Sequence, residues 1–281
     1  FQHTHITTRN AKRASQKFDI DQTGFIEWSS VNEPLELPEE FACRAVVNLM
    51  GESVAEGRWT EEKKRRIRSS RVDGTKKLVE AIAKLKSKPE VMVSASAVGY
   101  YGDHADREIT ESTGRGSGFL AEVCGQWEAA AAPIAEMGIR LVFIRIGIVL
   151  SEQGGALEKM LPVFRMGGGG RLGDGKQFFP WIHIDDLVSL ICWAVNTPSV
   201  SGVLNGAAPN PVTNAEFTRS LASTLHRPAV LPVPKFAVRL MLGEFADSLF
   251  DSQRVIPAAA LSNGFEFQFP NLETALSDLL N

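Results

Sequence analysis

Apolar and polar positions along this chain follow two alternating periods. Short extended or apolar runs recur at His3–Thr8, Phe25–Trp28, Ala45–Leu49, Val91–Ser94, Arg140–Ile146 and Val203–Gly206. Unbroken apolar character, as in Leu141-Val-Phe-Ile144, is the pattern of a strand covered on both faces. Segments with helical spacing lie between these runs. Thr60 is placed to cap a helix from Glu61 to about Leu85, with Ile67, Val72, Leu78, Val79, Ile82 and Leu85 on its apolar side. Further helices are predicted over 118–136, over Ala156–Phe164, from Asp185 as N-cap to Asn196, and after the capping box Thr213-x-x-Glu216. Repeated strand–helix order implies an α/β fold with a parallel, doubly wound sheet and right-handed crossovers. After Leu231-Pro-Val-Pro234 the pattern becomes helical around Phe236–Leu242, Pro257–Leu261 and Leu272–Leu280. This predicts a sheet domain over 1–225 and a small, mostly helical C-terminal cap over 226–281.

The richest chemistry lies at one strand end. Val91-Met-Val93 breaks into Ser94-Ala-Ser96 and then Tyr100-Tyr101-Gly102. Open α/β sheets bind ligands at the carboxyl ends of their strands, so Ser94, Ser96 and a phenol are delivered to the expected place. Tyr100 and Tyr101 are the two tyrosines of the chain.

Composition narrows the partners. The formal net charge is −3, which does not favour a polyanion such as nucleic acid. No apolar run reaches membrane-spanning length, so no membrane partner is expected. Three cysteines without paired spacing, Cys43, Cys124 and Cys192, fit reduced thiols and a cytoplasmic setting. The partner expected is a small polar organic molecule, with a homodimer compatible with the sequence and no metal expected.

A dinucleotide fold ordinarily opens on a strand, then Gly-x-Gly-x-x-Gly, then a helix whose N-terminus holds the pyrophosphate. That context is absent here. The glycines of 167–175 follow a helix, and Lys176 is followed by Gln177 where a P-loop has Ser or Thr. This stretch reads as a substrate-side loop.

Taken together, Asn48-Leu-Met-Gly-Glu52, Arg58-Trp59, Ser70-Arg-Val72, Ser94-Ala-Ser-Ala-Val-Gly-Tyr-Tyr-Gly102, Trp127-Glu128, Arg145-Ile-Gly-Ile-Val-Leu150, Gln177, Pro180-Trp-Ile-His-Ile-Asp185, Asn214-Ala-Glu-Phe217, Gly243 and Gln253-Arg-Val-Ile-Pro257 span almost the whole chain. In this combination the chain resembles the extended and atypical short-chain dehydrogenase/reductases, in the "epimerase family protein" branch with a C-terminal domain of unknown function. The resemblance implies a Rossmann-like NADP-binding domain. It also implies that the segment from His3 is the family's second strand and that the first βα unit, with its glycine loop, is absent. A sheet without that unit exposes two inner strand edges.

The resemblance also assigns the site. NADP(H) is the implied cofactor, with Thr8 and Arg9 at the adenosine ribose, because an Arg there pairs with a 2′-phosphate. Leu49, Met50, Arg66, Arg71, Ser94, Gly147, Ile148 and Val149 line the rest of the dinucleotide. Arg9 and the cations after Thr60 equally suit a solvated surface, and Gly51 an ordinary strand-end turn. Ser96, Tyr101 and Tyr100 are the catalytic candidates, and Gln177, Trp181, His183 and Asp185 the substrate-side ones. Asp185 equally reads as a helix cap and His183 as a satisfied, half-buried histidine. The family's Tyr-x-x-x-Lys dyad is missing. His104 and Ala105 follow the tyrosines at the lysine spacing, and alignment on Trp127-Glu128 puts the dyad positions near Leu120 and Cys124. Two functions are therefore carried forward. One is an NADP(H)-dependent oxidoreductase or epimerase with a non-standard proton donor. The other is a non-catalytic NADP-binding sensor, in line with a cell-division-related label carried by some relatives.

Overall fold

The computed structural model describes residues 3–18 and 22–280. Its first block is a parallel pair, β1 (Thr4–Thr8) and β2 (Thr23–Glu27), connected through the short helix α1 (Ala11–Ala14). Asn10 caps α1 by accepting from the Arg13 amide. The second block begins with β3 (Ala45–Asn48), which leads into α2 (Glu61–Lys84). Thr60 caps α2 as expected, and the helix ends at Leu85. β4 (Val91–Ala97) follows, then a single 3₁₀ turn over 98–100 and the short β5 (Glu108–Ile109).

The helix predicted over 118–136 divides. α3 covers Phe119–Ala131, and Ala132–Met137 continue as 3₁₀ turns. Pro133 explains the change, because proline removes a donor and crowds the preceding α-turn. β6 (Arg140–Ile146) and β7 (Ile148–Leu150) come next, then α4 (Gly155–Arg165). Two short strands that periodicity did not reveal, β8 (Phe178–Phe179) and β9 (Trp181–His183), run directly into α5 (Ile184–Asn196). Then come β10 (Gly202–Gly206), β11 (Val212–Thr213) and α6 (Asn214–Thr224), whose capping box forms as the sequence predicts. The tail holds α7 (Lys235–Leu242), α8 (Phe245–Ser248), β12 (Arg254–Val255), α9 (Ala258–Ser262) and α10 (Leu272–Leu280).

The central sheet has strand order β10–β6–β4–β3, all parallel. Alternate residues of β4 enter two cores. Val91 and Val93 face α5 with Val142, Ile144 and Leu190, whereas Met92 faces α2 with Ile82 and Ile134. Both faces are covered, which is why these strands read as unbroken apolar runs. Among the described residues no ladder joins β1 to β3, and Val47 of β3 remains exposed.

The tail is fastened to the sheet domain by buried polar contacts as well as by apolar packing. β12 pairs with β5, and α10 packs with α6 in a core that includes Trp181 and Phe269. Asp186, on the first turn of α5, accepts from the amides of Gln268 (2.7 Å) and Phe269 (3.0 Å). Each bond is charge-assisted and Asp186 is buried, so loss of the carboxylate takes a strong acceptor from both amides. We expect Asp186→Ala to lower stability by about 3 kcal/mol or more. Urea unfolding reads the loss, and limited proteolysis is expected to cut the 226–281 segment first. Unchanged unfolding and cleavage would show the tail to be held by its apolar contacts alone.

Candidate functional site

Strand register decides which polar groups meet at the carboxyl end of the sheet. Ser96 of β4, Arg145 of β6 and Asn205 of β10 are direct cross-strand neighbours. Sharing a register position, they project from the same face of the sheet. α3 crosses that face and adds Glu128. The Glu128 carboxylate accepts from Arg145 Nε and one terminal nitrogen, both at 2.9 Å, in a fork, and from the Ser96 hydroxyl at 2.7 Å. The other guanidinium nitrogen donates to the Tyr101 oxygen at 3.0 Å, and the Tyr101 hydroxyl donates to Asn205 Oδ1 at 2.7 Å. Asn205 Nδ2 in turn donates to the Ile256 carbonyl in the tail.

Every hydroxyl and charge in this chain of bonds has a partner, and the network is buried. Arg145 loses hydration by burial, but its bonds to Glu128 and Tyr101 outweigh that loss and hold its pKa above the usual arginine value. The Tyr101 phenol is pushed up to about 12, chiefly by burial, with the Arg145 bond acting the other way.

This corrects two expected roles. Ser96 and Tyr101 were the leading catalytic candidates. Ser96 is 2 % exposed and Tyr101 0 %, and both hydroxyls bond to protein groups. Tyr100 differs. Its ring lies under Arg145, whose guanidinium carbon is 3.5 Å from the ring centroid, and it meets Tyr101 edge-on. The side chain is half-buried, and among the described residues its hydroxyl has no hydrogen-bond partner. Cys124, near which alignment on Trp127-Glu128 sets a dyad position, is buried. Burial raises its thiol to about 11, against the influence of Arg71.

A second polar cluster lies beside β3. Asn48 donates to Thr75 Oγ1 (3.0 Å) and to Ser94 Oγ (3.1 Å), and the Trp127 indole also donates to Thr75. Ser94 is thus sealed beneath the surface rather than presented to a ligand. Leu49 is exposed at the strand end, while Met50 folds back onto Gly74 of α2. Gly51 makes room for Arg71, whose guanidinium carbon would lie 2.8 Å from a Cβ there. Arg71 donates to the carbonyls of Glu52 and Ile67 and lies over the Trp127 ring. Burial lowers its pKa, and no carboxylate lies within ion-pairing distance of it among the described residues. Arg66, by contrast, is exposed and shared between Glu52 and Glu62. Thr8 and the exposed Arg9 end β1 just ahead of α1.

The remaining assignments divide. A Cβ on Gly147 would lie 2.3 Å from the Pro180 carbonyl oxygen, so this glycine serves close packing of β6 and β7 against their neighbours. Ile148 and Val149 are paired into β9. Trp181 is in the core and His183 is stacked on Phe269 at 3.9 Å, both 1 % exposed. His183, not Asp185, is the N-cap of α5, because its Nδ1 accepts from the Asp185 amide at 3.1 Å. That bond assigns the proton to Nε2, which faces Asp278 of α10 at 3.3 Å. His183 Nε2 has no hydrogen-bond partner among the described residues, and a protonated Nε2 has no lone pair with which the group His183, Asp185 and Asp278 could hold a metal. Of the expected substrate-side residues, Trp181 and His183 are thus buried in packing and capping contacts, whereas Asp185 is exposed. Gln177 does border a cleft, about 350 Å³ in volume, with Asp103, Asp174, Lys176, Phe250 and Ser252.

Residue patterns missed Glu128, Arg145, Asn205 and Gln253 as working parts. Gln253 donates to the carbonyls of Val98 and Gly102, 3.0 Å each, and so fixes the turn that carries Tyr100. One signal was available: an arginine inside a buried apolar strand needs a counter-charge.

The buried phenol makes alkaline stability a direct test. An unfolded tyrosine titrates near ~10, so the raised folded pKa of Tyr101 contributes stability that is complete below about pH 10 and is lost as pH rises towards 12. Tyr101→Phe is expected to remove this alkaline loss. At neutral pH it is expected to cost ~1–3 kcal/mol, because Arg145 and Asn205 each lose a partner. Denaturant unfolding between neutral and alkaline pH reads both effects, and an unchanged alkaline slope would count against the burial of this phenol.

The sequence relatives and solved structures agree with this fold. The profile of the NAD dependent epimerase/dehydratase family matches residues 2–205, and that of a domain of unknown function (DUF1731) matches 233–279. The chain is 41 % identical to the chloroplastic epimerase family protein SDR39U1 homolog of Arabidopsis thaliana, over 98 % of this chain and 79 % of the relative. It is 37 % identical to the epimerase family protein YfhF of Bacillus subtilis, over 99 % and 90 %. Human epimerase family protein SDR39U1, whose crystal structure was determined with NADPH, superposes with a TM-score of 0.84 at 32 % identity, covering 99 % of each chain. The UDP-glucose 4-epimerase of Thermus thermophilus shares the fold at 16 % identity, with a TM-score of 0.73 over 98 % of this chain and 89 % of that one. With the same parallel sheet, the same helical tail and these matches over nearly its whole length, the chain belongs to the NAD dependent epimerase/dehydratase family.

Proposed function

We propose that this protein binds NADP(H) across the carboxyl ends of β1, β3 and β4 and uses it on a small polar organic substrate. The observation that carries the cofactor reading is Arg71. The half-buried Arg71 guanidinium forms no direct ion pair among the described residues, Glu52 acting on it only through its charge, and an anionic group at the β3 end would complete its neutralisation. Arg9 at the end of β1 supplies a cation suited to a 2′-phosphate, where an acidic residue would instead favour NAD. The human relative was crystallised with NADPH, which agrees with this choice.

Bound there, the nicotinamide supplies hydride chemistry. Of the two phenols, Tyr100 is the one positioned to move a proton, since the Tyr101 hydroxyl donates to Asn205 inside the core. Arg145 holds the Tyr100 ring in place from above, and Gln253 holds the turn beneath it. The cleft beside Gln177 opens next to Asp103, close in sequence to Tyr100, and suits a polar substrate. The sensor reading is favoured by a separate observation, the absence of a lysine at the dyad spacing after either tyrosine.

Two measurements test the proposal. Quenching of tryptophan fluorescence is expected to show tighter binding of NADPH than of NADH. Arg9→Glu is expected to weaken NADPH binding about tenfold or more and to narrow or reverse the preference. Equal affinity for both dinucleotides, unchanged by Arg9→Glu, would sink the NADP assignment. Turnover of NADPH on carbonyl and sugar-nucleotide substrates is then expected to fall by about 10²-fold or more in Tyr100→Phe. Tight NADPH binding without turnover on any substrate class would favour the sensor.

A further inference from the structure

The chain between β3 and α2, residues 49–60, has no regular secondary structure, and Ser53, Glu56, Gly57 and Arg58 are exposed. A loop of this length in a compact domain usually serves a function, and so few buried contacts leave it easily opened. Its near end belongs to the proposed cofactor site. The Glu52 amide donates to Ser70 Oγ at 2.9 Å, and Arg71 Nη1 donates to the Glu52 carbonyl at 2.9 Å. Among the described residues Nη1 makes both hydrogen bonds of this guanidinium, so the other nitrogens are the donors left for an anion.

The far end of the loop is gripped by the tail. The Trp59 indole donates to the Val54 carbonyl at 2.8 Å, which folds the loop on itself. Its ring meets Phe119 of α3 at 5.1 Å and Phe245 of α8 at 5.4 Å, and Phe245 is buried. Contacts of this kind are specific in geometry as well as apolar. Beside them Lys64 of α2 pairs with Glu244, and Lys159 of α4 donates to the Ala55 carbonyl at 3.2 Å. From this clasp the tail runs straight to the turn that carries Tyr100. The Ser252 amide donates to Asp103 Oδ1 at 3.0 Å, and the His104 amide donates to the Ser252 carbonyl at 3.0 Å. Gln253 adds its two bonds to Val98 and Gly102. Residues 243–253 therefore touch the cofactor loop at one end and the Tyr100 turn at the other.

We propose that residues 243–253 are a strap that couples dinucleotide occupancy at the β3 end to the setting of Tyr100, a proposal that rests on the NADP(H) reading above. An anion bound by the remaining nitrogens of Arg71 fixes the donor that holds the Glu52 carbonyl. The loop is then ordered as far as Trp59, and Phe245 passes the restraint along the strap to Gln253 and the turn. The two states differ in order rather than in topology: loop and strap are loosely held without dinucleotide and firmly held with it. Each site then makes the other cheaper to order, which is the differential free energy a coupling requires. Such coupling is reciprocal, so cutting the clasp must also weaken the dinucleotide.

Hydrogen exchange read by mass spectrometry, on the full chain with and without NADPH, tests the proposal. NADPH is expected to slow amide exchange about fivefold or more in 49–60, in 243–253 and in 98–104. Trp59→Ala, shown to be folded by circular dichroism, is expected to abolish the protection of 243–253 and 98–104. Titration calorimetry is expected to show its NADPH affinity lowered about fivefold or more. Glu244→Gln gives a second reading at an exposed side chain the fold does not need. Its NADPH affinity is expected to fall about twofold, the weight of one surface ion pair, with less protection of the strap. NADPH bound with exchange in 243–253 unchanged would overturn this proposal and leave the cofactor reading standing. So would a folded Trp59→Ala chain in which NADPH still protects 243–253. Failure of the unaltered chain to bind NADPH would remove both readings together.

Discussion

A guanidinium in the middle of a parallel sheet needs a counter-charge, and the centre of this molecule is arranged around that requirement. Arg145 lies on β6 with strands on both sides. Glu128 reaches it from α3 in a two-bond fork, and Tyr101 takes the remaining nitrogen. Removing one partner of such a pair costs about 3–5 kcal/mol. Whole domains are stable by only about 5–15 kcal/mol. The pair therefore ties α3, β4, β6 and the turn after β4 into one unit, and the pose of Tyr100 follows from it. The same energetics remove Tyr101 from chemistry: a phenol that donates to Asn205 and accepts from Arg145 is part of the frame.

The tail extends that frame. Glu111 accepts from the Asn205 amide and from the Ala259 amide. Asn205 reaches the Ile256 carbonyl, and Gln253 bonds both ends of the turn that carries Tyr100. Asp186 fastens the chain before α10 to the first turn of α5. The C-terminal segment is thus a structural component of the strand-end face, bonded to it by side chains that grip backbone groups. Its outer side is different in character, with exposed apolar side chains on α7. One segment thereby braces the site from within and presents a separate surface to the outside.

Much of the architecture was legible from residue pattern. β3, β4, β6, α2 and the capping box of α6 form where periodicity placed them, because each has a clear apolar rhythm or a recognisable cap. β8 and β9 were not legible. They are two and three residues long, too short for a period, and their pairing partners are distant in sequence. The helix of α3 was drawn too long because its alanine-rich pattern outweighed the single proline that converts its end to 3₁₀ turns. At the site the division is similar. The sequence placed Ser94, Ser96 and the tyrosines at the carboxyl end of β4, yet burial alone distinguishes Tyr100 from Tyr101, adjacent residues of the same type. His183 and Asp185 were read as substrate-side because they start a helix near the sheet edge. Packing against Phe269 and Asp278 of the tail gave His183 a capping role instead.

By itself the sequence determined the class of fold, the strand that carries the polar chemistry, and the absence of a lysine at the spacing a classical dyad requires. These are local properties: period, composition and counting. Tertiary structure decided which hydroxyls bond inside the protein, which glycines serve packing and which cations pair with a carboxylate. Those outcomes depend on register and on contacts between residues far apart in the chain, such as Ser96, Arg145 and Asn205 in one row with Glu128 above them. A one-residue slip in that register would turn these groups to the opposite face of the sheet, and no local pattern in the chain records it.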